Sequence, residues 1–465
     1  MNAISFGTDG WRATLDVFTT PRVRMVGQAV ATTLREAGHD DPVGICYDAR
    51  ETSRGFAEEL SRTLAANGFD VLLPDRDRPT PLLAWAIAER GLSGGLMVTA
   101  SHNPSEYNGV KFIPDDGAPA LPVVTDAIES NLAEPDPLPE EEWGTVEEVE
   151  FMEPHAEHAL DLVADYAGDG SDIDLDGLPV AYDAMCGSGR GVTDDLLSRA
   201  GATVDRLRCE RRPEFGGTPP EPSAETLGEL TETVRNGDAA LGIANDGDSD
   251  RLALVTPKRG YLDENLFFAA LYDFLLEANS GPAVRTVSTT FLIDRVAEAH
   301  DEEVVETQVG FKWVAEAMAD VDALMGGEES GGFSVRNHVR EKDGVLMALL
   351  AAAAEAEEPL DDRVDRLLDE HGEIHQSKVS VECPESEKER VLADLDGALP
   401  DSVAGADVAN VVTEDGFKIV LDSGAWLLVR PSGTEPVLRV YAEAESEERV
   451  AELLDAGRDL VEPLV

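Results

Sequence analysis

The chain has 465 residues, with 94 Asp plus Glu against 37 Lys plus Arg and a formal net charge of −57. That length exceeds one hydrophobic core and sets three or four domains as the expectation; an apolar content of 42% can fill such cores. Nucleic acid and anionic membrane are excluded as natural partners, because long-range repulsion opposes both.

The acidic residues are spread through helices and linkers instead of forming one tail, which fits adaptation to high salt, where screening removes most self-repulsion. Four widely spaced cysteines (Cys46, Cys186, Cys209, Cys383) lack any CxxC pattern, so neither a disulfide framework nor a zinc site is expected. The start, "MNAISFGTDGWRA", has no basic region followed by an apolar one, and the longest apolar run, "VLMALLAAAA" from Val345, is too short to span a bilayer. A cytoplasmic location is the expectation.

Strand and helix patterns alternate from the start, which predicts parallel α/β domains. "VGICY" (Val43–Tyr47) precedes a predicted helix over residues 55–67, then "FDVLLP", a helix from Pro81, "GGLMVTA", and "VKFI" after an intervening loop. The Pro- and Glu-rich stretch from Glu134 to Glu150 reads as a linker closing a first domain over residues 1–150. A helix carrying His155 and His158 follows, read as a surface helix with structural histidines. "LPVAYDAM", "ATVDRLRC" and "AALGIAN" with their helices make a second α/β domain, 151–255. "AVRTVST", "EVVETQVG" and "ALMGG" make a third, 256–372, so three similar units stand in tandem. The tail, 373–465, has adjacent strands with two helices and reads as a smaller α+β domain.

Each unit ends a strand in an unusual polar loop: "TASHNP", "NDGDSDR", "GGEESGG" and, in the tail, "RPSGTEP". Ligands of open parallel sheets bind at the carboxyl ends of strands, so four such loops can converge on one cleft. "NDGDSDR" sets Asp246, Asp248 and Asp250 at alternate positions, suited to a hard divalent cation such as Mg²⁺. Acidic triplets also arise by chance in so acidic a chain; "DIDLDG" from Asp172 is one, read as a solvated turn. "RPSGTEP" joins Arg430 to Ser432, Gly433 and Thr434, which is either a phosphate cradle or an ordinary turn. "GGEESGG" offers Glu328 and Ser330 to sugar hydroxyls, against the plainer reading of a flexible acidic loop. Ser101 has three readings: a turn serine, a hydrolase nucleophile with His102 as base, or a carrier of a phosphoryl group. Adjacent residues of an extended segment point opposite ways, which sets His102 away from Ser101 and counts against the hydrolase. "CGSGRG" (Cys186–Gly191) lacks the spacing of a dinucleotide turn. Lys111 is either a snorkelling lysine or a proton-transfer group.

Together these stretches resemble the α-D-phosphohexomutase family. The loops match its phosphoserine, metal, sugar and phosphate loops in order, and "FGTDGWR", "YDARETS", "FGGTPPEP" and "VGFKW" look like further landmarks. The resemblance implies three similar α/β domains with mainly parallel sheets and a smaller, mobile C-terminal α+β domain around a central cleft. It implies a phosphoserine at Ser101, with Asp246, Asp248 and Asp250 holding Mg²⁺ together with that phosphate. Arg12, Lys111 and Arg251 would lie near the transferred group, with Lys111 moving the proton and His102 and Lys312 in support. Glu328 and Ser330 would bind the sugar, and Arg430, Ser432, Gly433 and Thr434 the phosphate that is not transferred. The implied reaction interconverts hexose 1-phosphate and hexose 6-phosphate through a hexose 1,6-bisphosphate, which is also the activator. Gly331-Gly332 stands where several family branches carry Gly-His, which tilts the expected substrate to glucose or mannose phosphates. Phosphoglucosamine mutase, a metal-dependent sugar phosphatase and a non-catalytic sugar-phosphate sensor are the alternatives.

Overall fold

Four sheets follow one another along the chain in a computed structural model that describes residues 4–7, 10–167, 174–433 and 435–465. The first is six-stranded, ordered Trp11–Thr14, Tyr107–Ile113, Gly95–Val98, Val43–Tyr47, Val71–Leu73, Val146–Glu148. Its central strands Val43–Tyr47 and Gly95–Val98 run parallel and are buried along their whole length, as continuous apolar runs require. Helices start and stop where the sequence offers the chemistry: Thr20–Ala37 has proline in its first turn and ends on Gly38 at φ 84°, and Thr80–Arg90 does the same with Gly91 at φ 63°.

The second sheet has five strands, ordered Gly260–Leu262, Leu252–Thr256, Leu241–Asn245, Pro179–Asp183, Thr203–Leu207, and the third has four, ordered Val304–Thr307, Ala283–Thr286, Met325–Gly327, Phe333–Val335. In each of the first three sheets parallel pairs are joined to antiparallel edge pairs, so the sheets are mixed. The fourth sheet is antiparallel throughout, six strands from His375–Glu382 to Ser402–Val403, with the helix Glu447–Val461 packed on it.

Three sequence expectations need correction. The stretch expected as a linker, 134–150, supplies the edge strand Val146–Glu148, because Val71–Leu73 leaves its outer edge open for parallel pairing. The second sheet runs on past residue 255, since a turn at Gly260 folds Gly260–Leu262 back against Leu252–Thr256. The helix Met152–Tyr166 is not a surface helix on its His155 side. His155 is fully buried, with Nε2 2.7 Å from Asp343 Oδ2, and His338 Nε2 lies 2.9 Å from the same oxygen.

The tandem units share their interior. One continuous core takes side chains from Cys46 through Leu367, while the first and fourth domains each keep a further core of their own. At the centre of the shared core lies Gly344–Glu357, the apolar run measured above against a bilayer. It is buried on nearly every face and touches the helices Met152–Tyr166 and Thr193–Arg199 and the strand Leu241–Asn245. Asp343 caps it, accepting from Val345 N and Leu346 N. Among the described residues no helix is long and apolar enough to cross a membrane.

Candidate active site

The strand Gly95–Val98 ends in a turn that is held from below by one arginine. Arg50, 1% exposed, donates Nε to Asp48 and its terminal nitrogens to the carbonyls of Ser101, Asn103, Pro104 and Tyr107, at 2.6 to 3.2 Å. All five donors of the fork are thereby used. Asp48 also accepts from Ser53 Oγ and Thr99 Oγ1, and the guanidinium lies over the Phe215 ring of the "FGGTPPEP" stretch. With four carbonyls drawn inwards, Ser101 takes a left-handed φ of 49° and donates its N–H to Thr99 Oγ1.

This geometry overturns the argument that set Ser101 and His102 apart. The segment is not extended at Ser101, and Ser101 Oγ lies 3.2 Å from His102 Nδ1. The same hydroxyl donates to Asp246 Oδ2 at 2.7 Å.

Asp246 opens the loop that follows the strand Leu241–Asn245. Asp246, Asp248 and Asp250 are all buried, with one carboxylate oxygen from each lying within 4.8 Å of the others. Burial, followed by the charges of Asp248 and Asp250, pushes the Asp246 carboxyl well above the usual range. Thr80 Oγ1 donates to Asp248 Oδ2 at 2.6 Å, while Asp248 Oδ1 is buried without a hydrogen-bond partner. A buried set of oxygen donors with an unsatisfied oxygen fits a hard cation such as Mg²⁺. Lys111 is buried and does not snorkel; its Nζ lies 2.9 Å from Asp250 Oδ2 and 3.2 Å from Asp248 Oδ2. Lys342 Nζ lies 3.3 Å from Asp250 Oδ2. Arg251 donates its backbone N–H to Asp246 Oδ1, and Arg12 reaches Asn103 Oδ1 at 3.5 Å.

The third loop leaves the strand Met325–Gly327. Glu328 is buried and accepts from Gly310 N at 2.8 Å; burial and then the neighbouring Glu329 raise its carboxyl above the usual range. Glu329 accepts from Thr286 Oγ1 at 3.3 Å, and Ser330 Oγ is buried without a hydrogen-bond partner. Gly331-Gly332 has a packing reason here, since a Cβ on Gly332 would collide with the Lys342 stem. Lys312 stands in the first turn of the helix Phe311–Val321, with Nζ 5.7 Å from the Trp313 ring centroid.

The fourth loop follows the strand Trp426–Pro431. Arg430 Nε donates to Asp415 Oδ2 at 2.8 Å, Ser432 Oγ accepts from Glu435 N, and Lys388 Nζ donates to the carbonyls of Ser432 and Glu435. Gly433 completes the described part of this turn; Thr434 lies outside the described residues. Burial and then Glu329 push the Tyr441 hydroxyl up to about 12, while the nearby Arg430 opposes the rise, so residues of the third and fourth loops act on one phenol.

The residues thus form two groups. Ser101, His102, Lys111 and the three aspartates touch one another directly, with Arg12 and Arg251 at the rim. Glu328 and Arg430 are joined through Gly310, Val309 and Asp415. The sequence reading missed Arg50, Thr80, Lys342 and Asp415. "YDARETS" stood out as a landmark without a role for its arginine, and "REKDG" placed four charges directly before an apolar helix, a signal that could have pointed to Lys342.

Comparison with known proteins bears on the family of the chain. The phosphoglucomutase/phosphomannomutase alpha/beta/alpha domains I, II and III match residues 3–138, 163–260 and 263–371, and the C-terminal domain of the same family matches 379–460. A Methanopyrus kandleri protein named "Probable phosphoglucosamine mutase" is 34% identical over 98% of this chain and 97% of its own. A Thermococcus kodakarensis phosphoglucomutase/phosphomannomutase is 30% identical over 98% of each. A crystal structure from Thermus thermophilus assigned as a phosphomannomutase superposes with a TM-score of 0.84 at 31% identity, covering 99% of both chains. With four family domains in order along one chain, the protein belongs to the phosphoglucomutase/phosphomannomutase family of the α-D-phosphohexomutase superfamily, whose members are isomerases of the mutase type.

Proposed function

We propose that the chain interconverts hexose 1-phosphate and hexose 6-phosphate, with Ser101 as the phosphoryl carrier and glucose or mannose as the hexose. The observation that carries the reading is Ser101 Oγ, 2.7 Å from Asp246 in a buried carboxylate triad, with a separate arginine turn on the fourth domain. A phosphatase needs one phosphate site; a mutase needs a reaction site and an anchor. The Arg430 turn supplies the second and favours the mutase.

In the proposed reaction the free hydroxyl of a hexose phosphate attacks phosphorus on phospho-Ser101. The new O–P bond forms as the bond to Ser101 Oγ breaks, and the hydroxyl proton passes to a base at the site. Lys111 is our assignment for the proton-transfer group, with His102 beside Oγ in support. The resulting bisphosphate turns over, and Ser101 Oγ takes back the other phosphoryl group as the proton returns to the sugar oxygen. Asp246, Asp248 and Asp250 would hold Mg²⁺, which when bound offsets the negative charge of the transferring group. Arg12 and Arg251 draw the same oxygens, while Arg430, Ser432 and Gly433 hold the phosphate at rest. Glu328 and Ser330 orient the sugar ring.

Glucosamine phosphate is the second reading. Glu328 and Glu329 stand side by side, and two carboxylates suit an ammonium group at least as well as a hydroxyl; the Methanopyrus relative carries that name. A panel of glucose, mannose and glucosamine 1-phosphates, each with its bisphosphate, tests the choice by ranking kcat/KM. Intact mass tests the carrier: a single phosphate adduct is expected, lost together with mutase activity in Ser101→Ala. Full activity in Ser101→Ala overturns the mechanism, and release of inorganic phosphate faster than isomerisation returns the phosphatase.

A further inference from the structure

Asp415 lies on the turn between the strands Ala406–Val412 and Phe417–Leu421, away from all four polar loops in sequence, yet two of them meet through it. Its Oδ2 accepts from Arg430 Nε at 2.8 Å and from Val309 N at 3.1 Å. The next amide along, Gly310 N, donates to Glu328 Oε1 at 2.8 Å. Two consecutive N–H groups of the third domain are therefore taken by two carboxylates, one from the sugar loop and one from the fourth domain. The chain Glu328, Gly310, Val309, Asp415, Arg430 is unbroken.

The local geometry is tightly set. Gly416 has φ 84°, and a Cβ there would sit 2.8 Å from Arg430 Cα, so the turn is pressed against the arginine's own backbone. Asp415 and Arg430 are mostly buried, with side-chain exposures of 14% and 13%. The carboxylate grips Nε, the edge of the guanidinium nearest the chain, and the grip makes no use of the terminal amino groups that bind a phosphate as a pair. Around the tether the third and fourth domains are already clamped. Lys418 Nζ donates to Glu306 at 2.6 Å and lies over the Phe291 and Trp426 rings, and Val309 packs in the apolar cluster of Trp426, Leu428 and Tyr441.

We propose that Asp415 is a positioning residue that fixes the Arg430 fork relative to the Glu328 loop, so that sugar and distal phosphate are read as one unit. This rests on the assignment of Arg430 as the phosphate anchor. Holding the guanidinium before substrate arrives removes an ordering cost from binding. The carboxylate also partly neutralises the guanidinium, so charge and geometry act in opposite senses on phosphate affinity. That opposition makes the idea testable. Asp415→Ala removes both the charge and the tether, whereas Asp415→Asn removes the charge and keeps an oxygen that can accept from Val309 N and Arg430 Nε.

The test is steady-state kinetics of the full chain with a hexose 1-phosphate and saturating bisphosphate, with Arg430→Gln run alongside. Asp415→Ala is expected to lower kcat/KM about tenfold, mainly through KM, and Asp415→Asn to recover most of that loss. A mere loss of folded protein lowers apparent kcat and leaves KM alone, so the split separates positioning from stability. Equal KM increases in the two variants, or no KM increase in Asp415→Ala, overturn the proposal. Should Asp415→Ala fail to fold, Asp415→Ser, whose hydroxyl is too short to span both donors, carries the same expectation. A KM unchanged in Arg430→Gln overturns the anchor assignment itself, and is thereby told apart from a failure of the tether.

Discussion

Ser101 Oγ and Asp246 Oδ2 meet across 2.7 Å, a hydrogen bond that joins the turn after the first sheet's strand Gly95–Val98 to the second sheet's acidic loop. Lys111 and Lys342 offset part of the charge of the three buried carboxylates, but Asp248 Oδ1 has no hydrogen-bond partner and Asp246 lies against like charges, so a bound cation relieves the site. Adding Mg²⁺ to chelator-treated protein is therefore expected to raise the melting temperature. The stabilisation approaches about 2.7 kcal/mol at roughly 100 times the dissociation constant. Asp248→Asn should shrink that Mg²⁺-dependent shift, as thermal melts across a Mg²⁺ series would record. An equal shift in parent and variant would falsify metal binding at the triad.

Arg50 supports a second prediction. Its guanidinium draws four carbonyls inwards, and Asp48 is paired with it at 2.8 Å. Burial raises the Asp48 carboxyl even with Arg50 beside it, so removing the arginine strands a buried acid. Arg50→Met is expected to cost about 3–5 kcal/mol in denaturant melts, the range for breaking a buried pair from one side. The double variant Asp48→Asn, Arg50→Met should be less destabilised than the sum of the single changes. Additive losses would show that the two residues stabilise the turn independently.

These two sites show what a linear reading can and cannot reach. Ser101 and the aspartates stand at the ends of apolar runs within windows of a few residues, so a strand followed by polar turn chemistry is visible directly. Arg50 acts on carbonyls some fifty residues away, and Asp415 acts on Val309 and Arg430 across two domains. No periodicity carries such pairings. His155 was misplaced for a related reason: it shares the buried face of its helix with Ala156, Ala159, Leu162 and Val163, and the carboxylate that satisfies it there, Asp343, comes from another unit far along the chain. His102 was misjudged because a serine at φ 49° is imposed by the Arg50 network and is not a preference of the residue. The four-domain order was legible because each unit repeats its own strand and helix rhythm. The shared core was not, since it is built by helices such as Gly344–Glu357 that carry no periodic signal when buried on every side.

The histidine cluster beside that helix predicts a pH response. His158 is stacked on Trp85 with centroids 3.7 Å apart, and its Nε2 lies 3.0 Å from His338 Nδ1. Burial, then the neighbouring His338 and His155, lowers its pKa to about 4. A histidine depressed on folding takes up its proton more readily in the unfolded chain, so its contribution is present above the unfolded pKa of about 6.5 and is lost as pH falls towards about 4. Thermal melts should therefore fall in that window, and His158→Gln should flatten the slope there. A slope identical in parent and variant would place the titration elsewhere.

The charge of −57 supports the last prediction, which concerns salt. Two effects of opposite sign compete. Surface ion pairs such as Arg24–Glu59 and Arg199–Glu153 are weakened by screening, but exposed pairs of this kind contribute only about 0–1 kcal/mol each. Self-repulsion among the unpaired acids acts over the whole surface, and its range contracts from about 10 Å at 0.1 M salt to about 3 Å at 1 M. The excess of 94 acids over 37 bases decides for repulsion. The melting temperature is expected to rise as KCl increases across that range. Glu140, Glu141 and Glu142 form one exposed run on a single short turn, and replacing all three with lysine should raise the melting temperature at low salt while reducing its dependence on KCl. A melting temperature that falls with KCl would mean that the ion pairs dominate, and would overturn the expectation that the distributed acids suit high salt.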